Sequence, residues 1–409
     1  MTWLRSARTA TGELVDLRIA DGVIADVQPS SGRVDGGDVD LTGHVLLPSF
    51  VEPHAHLDKA LTAARAHNVT GDLLGAIDAM RTLSLGMTVE EIAERADAAI
   101  RIQLAWGTTA IRTHVNVGGE SGLRALDALI EVRERWHGTV DLQLVALVHN
   151  PLSGQPGRDL RTALRNGADV AGGCPHLDPE PDRAVAICLD AAGEAGVPLD
   201  LHTDETLDPG RLTLATMADL VRRTGFAHGV TASHCVSLGV QSEIVQRTVS
   251  EAVAAAGIAV VALPQTNLFL QGREHPQATP RGLTAVGPLR RAGATVAAGG
   301  DNLRDPFHPL GRGDALEVAT LMVTAGHLDP AAAIDSVTAA SRSALGLRPV
   351  TLSTGAPADL VALPGTDLLD VLGAAPAART VWKAGRVVAR TTVHSSIADP
   401  ALAVPEAVS

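Results

Sequence analysis

The chain has 409 residues, a formal net charge of −13 and 45% hydrophobic residues. That is enough apolar material for a large core, in two or three domains or in one large barrel with an accessory domain. The acidic balance and the lack of a long basic run exclude nucleic acid and anionic membrane surfaces as partners. With four Phe, four Trp and no Tyr, the core must rest on Ala, Val and Leu, and base-stacking platforms are missing.

The N-terminal "MTWLRSARTATGELVDL" has no apolar core of signal-peptide length, and no charge-free stretch reaches the length of a membrane span. Cys174, Cys188 and Cys235 form no CxxC pair, which argues against a disulfide framework or a thiolate zinc site. A soluble cytoplasmic protein is expected.

In chain order, "ELVDLRIADGVIADVQP" holds two short apolar runs separated by Asp21-Gly22, a hairpin signal. Eight β-like runs follow: "HVLLPSFV", "TTAIRTHV", "VDLQLVALV", "ADVAGG", "VPLDLHT", "GVTASHC", "IAVVALP" and "ATVAAGG". Amphipathic Ala-rich segments such as "TVEEIAERADAAIRIQLAW" and "DRAVAICLDAAGEAG" separate most of them. Eight such alternations predict an α/β fold of the (β/α)8 TIM-barrel type. An open doubly wound sheet is the alternative, but no GxGxxG opens it. "APADLVALPG" and "ARTVWKAGRVVAR" read as strands again, the latter turning at Ala384-Gly385. The expected organisation is a barrel over 49–347 and a small β-sandwich domain shared by residues 1–48 and 348–409. The last dozen residues are expected to form a loosely held tail.

Ligand-type residues fall at the run ends. His54 and His56 follow the first run, His114 ends the second, His149 the third, and His202 the fifth with Glu205 beyond it. His234 ends the sixth, and Asp301 and Asn302 follow the eighth. The C-terminal ends of barrel strands carry active sites. Side chains two apart on a strand share a side, so His54 and His56 project together into the barrel mouth, where His202 and Asp301 arrive from other strands. Three imidazoles and a carboxylate suit one divalent ion, Zn²⁺ or Fe²⁺. A lone histidine at a strand end is more often a structural residue than a ligand; the ordered co-occurrence of four such signals outweighs that reading here. His44, His67, His137, His228, His275, His327 and His394 lack this context and are expected at the surface or in loops.

The stretches "FVEPHAHLDKALTA", "RTHVNVG", "DLHTDET", "TASHC", "NLFLQGR" and "GGDNLRDPFHPLG" together resemble the amidohydrolase superfamily, in its cytosine deaminase-like branch. The resemblance implies His54, His56, His202 and Asp301 as metal ligands, Glu205 as proton shuttle, and His234 beside the attacking water. It also implies that Asp301 takes part in catalysis. The fourth run lacks the lysine that binuclear relatives carboxylate, which favours a mononuclear centre. Lys59 is expected to pair with a nearby acid.

Three positions depart from the cytosine deaminase pattern: His149 stands in place of a glutamine, Asn302 in place of an aspartate, and Phe307 in place of a tryptophan. These residues, with Gln271 of "NLFLQGR", are the expected substrate contacts. The implied function is hydrolytic deamination of an amino-substituted nitrogen heterocycle, a pyrimidine, purine or triazine, with release of ammonia. The alternative is hydrolysis of an alkylamine from a triazine, as in isopropylammelide hydrolases, or of a cyclic amidine or urea. A non-catalytic metal-binding barrel is the remaining reading. The expected partner is a small heterocycle, with homo-oligomers common among such enzymes.

Overall fold

The computed structural model of the protein describes residues 1–397. The expected C-terminal tail, 398–409, lies outside them. Eight parallel strands form the central sheet in chain order: Phe50–Ala55, Thr108–Asn116, Asp141–Val148, Val170–Gly173, Leu199–Thr203, Val230–His234, Ala259–Ala262 and Val296–Ala298. A parallel bridge between Ala55 and Asp301 joins the last strand to the first. The result is a (β/α)8 barrel.

Helices cover the outer face. Helix Val89–Ala105 shows why the sequence folds this way. Thr88 caps its N-terminus by accepting from the Glu91 amide, and Glu90 and Glu91 complement the dipole. Ile92, Ala93, Ala96, Ala99, Ile100 and Leu104 recur at three- and four-residue spacing and are buried. They join Ile111, Leu126, Leu129 and Leu144 in the shell between strands and helices. No helix of the described residues is long and apolar enough to cross a membrane.

The strands of the two termini form one further eight-stranded sheet, in which Leu360–Pro364 pairs antiparallel with His44–Pro48. It wraps its own core of Leu4, Leu17, Ile24, Leu46, Leu360 and Trp382. The first hairpin turns at Asp21-Gly22, both residues in the left-handed region (φ 50 and 80°), as a type I′ turn demands. The first predicted barrel run is divided. Val45, Leu46 and Leu47 belong to the terminal sheet, while the barrel strand starts at Phe50, one residue past Ser49. Both halves are apolar because both are buried, so composition gives no sign of the crossing.

Arg379, on a C-terminal strand, is fully buried against the barrel. It makes two 2.8 Å bonds to the Asp314 carboxylate, which also caps helix Ala315–Thr324, and donates to the Trp106 carbonyl. Removing one partner of a buried ion pair leaves the other uncompensated, at a cost of about 3–5 kcal/mol. Arg379→Ala should lose stability of that order in urea denaturation; a loss below about 1 kcal/mol would show that the contact does not couple sheet and barrel.

Candidate active site

Pro53, which has no amide hydrogen to give a sheet, falls where the pairing of the first and second barrel strands slips between Glu52 and Ala55. His54 and His56 lie just beyond and are buried. Their Nε2 atoms lie 3.1 and 3.2 Å from Nε2 of His202, which comes from the fifth strand. Asp301 Oδ1 lies 3.6 Å from His54 Nε2 and 3.3 Å from His56 Nε2. Donors bound at about 2.0–2.2 Å to one tetrahedral ion stand about 3.3–3.6 Å apart. Four of the six donor pairs therefore lie at or close to the spacing of ligands that share a cation. Both oxygens of Asp301 have no hydrogen-bond partner, and bare lone pairs this close to the ring nitrogens repel unless a positive ion lies between them.

The outer nitrogens of the first two histidines are tied down. His56 Nδ1 lies 3.1 Å from the His114 carbonyl, an acceptor, so it carries the proton. His54 Nδ1 lies 2.9 Å from Ser233 Oγ, whose own proton goes to Asp200. Asp200 in turn accepts from Arg112 Nη1 at 2.9 Å. This chain fixes the tautomer of His54 and leaves its Nε2 lone pair facing the cluster. Burial holds His54, His114 and His202 well below the usual imidazole range, and lowers His56 to about 3 and His234 to about 4. All five rings are neutral at pH 7, the form that binds metal.

The donor set fits a divalent ion: neutral imidazoles and a carboxylate, converging, dry and unpartnered. Two other triads also converge, His54–His114–His202 and His54–His234–Asp301, with donor atoms within 4.8 Å of one another. His114 stacks on His54 at a centroid distance of 3.8 Å and 27° between planes, a packing arrangement rather than two rings aimed at one point.

His234 Nδ1 lies 3.0 Å from Asn267 Oδ1, which leaves Nε2 bare and 4.0 Å from Asp301 Oδ2. Glu205 Oε1 is 3.6 Å from the same ring. Burial, then the negative charge of Asp301, drives Glu205 well above the usual carboxylate range, toward its protonated form. Asp204, His234, Cys235 and Asp301 all take left-handed backbone (φ 51, 69, 49 and 64°). Non-glycine residues hold that conformation only when their surroundings enforce it. The Asp204 carboxylate is anchored by the amides of Thr213 and Leu214, and the His234 carbonyl by Thr284 Oγ1.

These groups open on a cavity that His149, Asn302 and Phe307 also line. The Asn302 amide is already engaged, accepting from Thr266 Oγ1 and donating to Asp305 Oδ2. Gln271 lies off the cavity wall; its amide donates to the Glu205 carbonyl at 3.2 Å. Lys59 lines the cavity and makes no ion pair with any described residue, contrary to the expected pairing with an acid. The seven histidines expected at the periphery are exposed, except for half-buried His44.

With this geometry in place, likeness to known proteins becomes informative. Residues 63–389 match the amidohydrolase family model. The chain belongs to the amidohydrolase family. Among relatives of this amidohydrolase, a pterin deaminase of Rhizobium rhizogenes (strain K84) is 35% identical over 387 residues, 92% of this chain and 88% of its own. The structure of a 5-methylcytosine deaminase from Klebsiella pneumoniae, liganded with 5-fluorocytosine, superposes with TM-score 0.91 at 31% identity, covering 98% of this chain and 100% of that one. An N-isopropylammelide isopropylaminohydrolase from Burkholderia multivorans gives TM-score 0.79 at 30% identity, covering 95% and 98%.

Several residues of the amidohydrolase site escaped sequence reasoning. Glu52 accepts from the Gly300 amide at 2.8 Å and the His54 amide at 3.1 Å, clasping the first strand to the eighth. Arg112 and Asp200 underlie the cluster, and His176 donates to the His202 carbonyl. A signal existed: Glu52, Arg112 and Asp200 each stand two residues before a site histidine, the period that puts both on one side of a strand.

The Glu52 clasp leaves no room beside it. A Cβ on Gly299 would fall 2.4 Å from Glu52 Oε1. Gly299→Ala should displace the carboxylate and loosen the Ala55–Asp301 closure. The expected result is a folded protein, by circular dichroism, that retains less than a tenth of the wild-type bound metal after dialysis. Full metal retention would show that the clasp does not set the cluster geometry.

Proposed function

We propose that the protein is a metal-dependent hydrolase that removes an amino group from a nitrogen heterocycle and releases ammonia. One observation carries this reading: His54, His56, His202 and Asp301 converge beside the cavity that Glu205 and neutral His234 line, with Glu205 3.6 Å from the His234 ring. Likeness to a pterin deaminase and a 5-methylcytosine deaminase supports a cytosine- or pterin-like ring as substrate.

The first four residues are the ligands of one divalent ion, Zn²⁺ or Fe²⁺. Such an ion supplies a water whose pKa falls from ~15.7 toward roughly 7. The chain's own residues then manage protons and position. Asp301 and the bare Nε2 of His234 face the water and accept its proton. Glu205 delivers a proton to the ring nitrogen beside the amine-bearing carbon, making that carbon electrophilic. The water oxygen bonds to that carbon, the proton taken from water passes on to the amine, and the remaining hydroxyl proton returns to Glu205 as the C–N bond breaks, so ammonia leaves and a carbonyl remains. His149, Asn302 and Phe307 face the ring and set which heterocycle fits. Gln271 supports Glu205 through its backbone carbonyl.

A second reading draws on Asn302 after Asp301 and on the likeness to N-isopropylammelide isopropylaminohydrolase. There the leaving group is an alkylamine on a triazine. A purely metal-binding barrel has no use for Glu205 poised beside His234.

The test is a release assay with metal-reconstituted protein on cytosine, 5-methylcytosine, isocytosine, isoguanine, pterin and N-isopropylammelide. Ammonia from a pyrimidine or fused pyrimidine is the expected product. Isopropylamine alone would move the assignment to the second reading, and no release from any compound would contradict both. Glu205→Gln should keep its metal and lose turnover by about 10²–10⁴-fold; near-normal turnover would remove Glu205 from its role. Chelation should abolish turnover, and Zn²⁺ or Fe²⁺ should restore it.

A further inference from the structure

Lys59 follows the His54–His56 pair by three residues and is one of only two lysines in the chain. It is 2% exposed. Its Nζ makes one hydrogen bond among the described residues, a long one of 3.4 Å to Asn116 Oδ1, and lies 5.0 Å from the Phe307 ring centroid. No carboxylate of the described residues lies within 4.0 Å of it. Lys383, the other lysine, shows the contrast. It is buried too, but it pairs with Asp359 at 2.8 Å and Asp141 at 2.5 Å. The carboxylates of Glu205, Asp301 and Asp305 feel the charge of Lys59, but none of them touches it. Asp301 faces the histidines, Glu205 faces His234, and Asp305 accepts from Asn302 and from the amides of Phe307 and His308.

A buried ammonium without a counter-ion is costly, and a neutral carbonyl oxygen recovers less of that cost than a charged one. Among the described residues, Lys59 is the only Lys or Arg lining the cavity. Phe307 offers it a cation–π contact but no acceptor oxygen. The missing partner is therefore an anion that enters with the substrate. We infer that Lys59 is a specificity-determining residue that pairs with a carboxylate carried on the substrate ring, so that this enzyme prefers a carboxylated amino-heterocycle to its neutral parent. This rests on the deaminase reading above and narrows its substrate class.

Binding in metal-loaded Glu205→Gln protein, where turnover is suppressed, separates recognition from chemistry. Two matched pairs serve as probes: pterin with pterin-6-carboxylate, and cytosine with 5-carboxycytosine. The expected result is a Kd at least tenfold lower for the acid in one pair. Lys59→Met in the same background should remove that preference and Lys59→Arg should retain part of it. Equal affinities for acid and parent, a preference that survives Lys59→Met, or binding of neither pair would overturn the inference. Wild-type turnover of a neutral heterocycle, measured in parallel, keeps the two readings apart. If it occurs without any acid preference, the Lys59 inference fails alone; if no heterocycle is turned over, the deaminase reading fails.

Discussion

Everything at this site depends on holding unprotonated donors against one another in a dry cavity. Three imidazole nitrogens and a carboxylate oxygen lie 3.1–3.6 Å apart along the measured contacts, and their lone pairs repel. The fold supplies the restoring force. Strand pairing draws the fifth strand into the barrel, and the Ala55–Asp301 bridge and the Glu52 clasp bring the eighth strand's end onto the first. A cation is the natural counterpart of such an arrangement, because it turns mutual repulsion into shared attraction. The left-handed backbone at Asp301 and His234 belongs to the same economy: local strain is retained where it aims a side chain.

Burial also sorts the protons. The histidines are neutral, and His54, His56 and His234 keep their outer protons on defined acceptors, so their inner nitrogens face the cluster. The same dryness has the opposite effect on Glu205, where the charged form is the disfavoured one. One environment thus yields neutral bases and a neutral acid side by side, the combination that proton transfer between water and a ring nitrogen needs. Among the residues that line the cavity, His149 comes from a strand end outside the cluster, whereas Asn302 and Phe307 share the loop that carries Asp301.

Much of this was legible in the sequence, for identifiable reasons. Seven of the barrel strands coincide with apolar runs, and the first overlaps its run at Phe50 and Val51, because parallel strands covered by helices are apolar on both faces. His54, His56, His202, His234, Glu205 and Asp301 were visible because each sits at or just past the end of such a run. Reading "HVLLPSFV" as one barrel run hid that Val45, Leu46 and Leu47 pair in the terminal sheet, since buried apolar residues lie on both sides of Pro48–Ser49. Asp200 and Arg112 were hidden for a different reason: they neutralise each other inside the barrel, and pairing across 88 residues leaves no local pattern. The freedom of Lys59 was equally invisible, because a sequence shows which acids are near in number but not which are already bonded.

The most direct test is anomalous diffraction from crystals of the metal-reconstituted protein, collected at the metal's absorption edge. One peak per chain is expected, within bonding distance of His54 Nε2, His56 Nε2, His202 Nε2 and Asp301 Oδ1. A peak coordinated by His114 in place of His56, or no peak within the barrel mouth, would contradict the account.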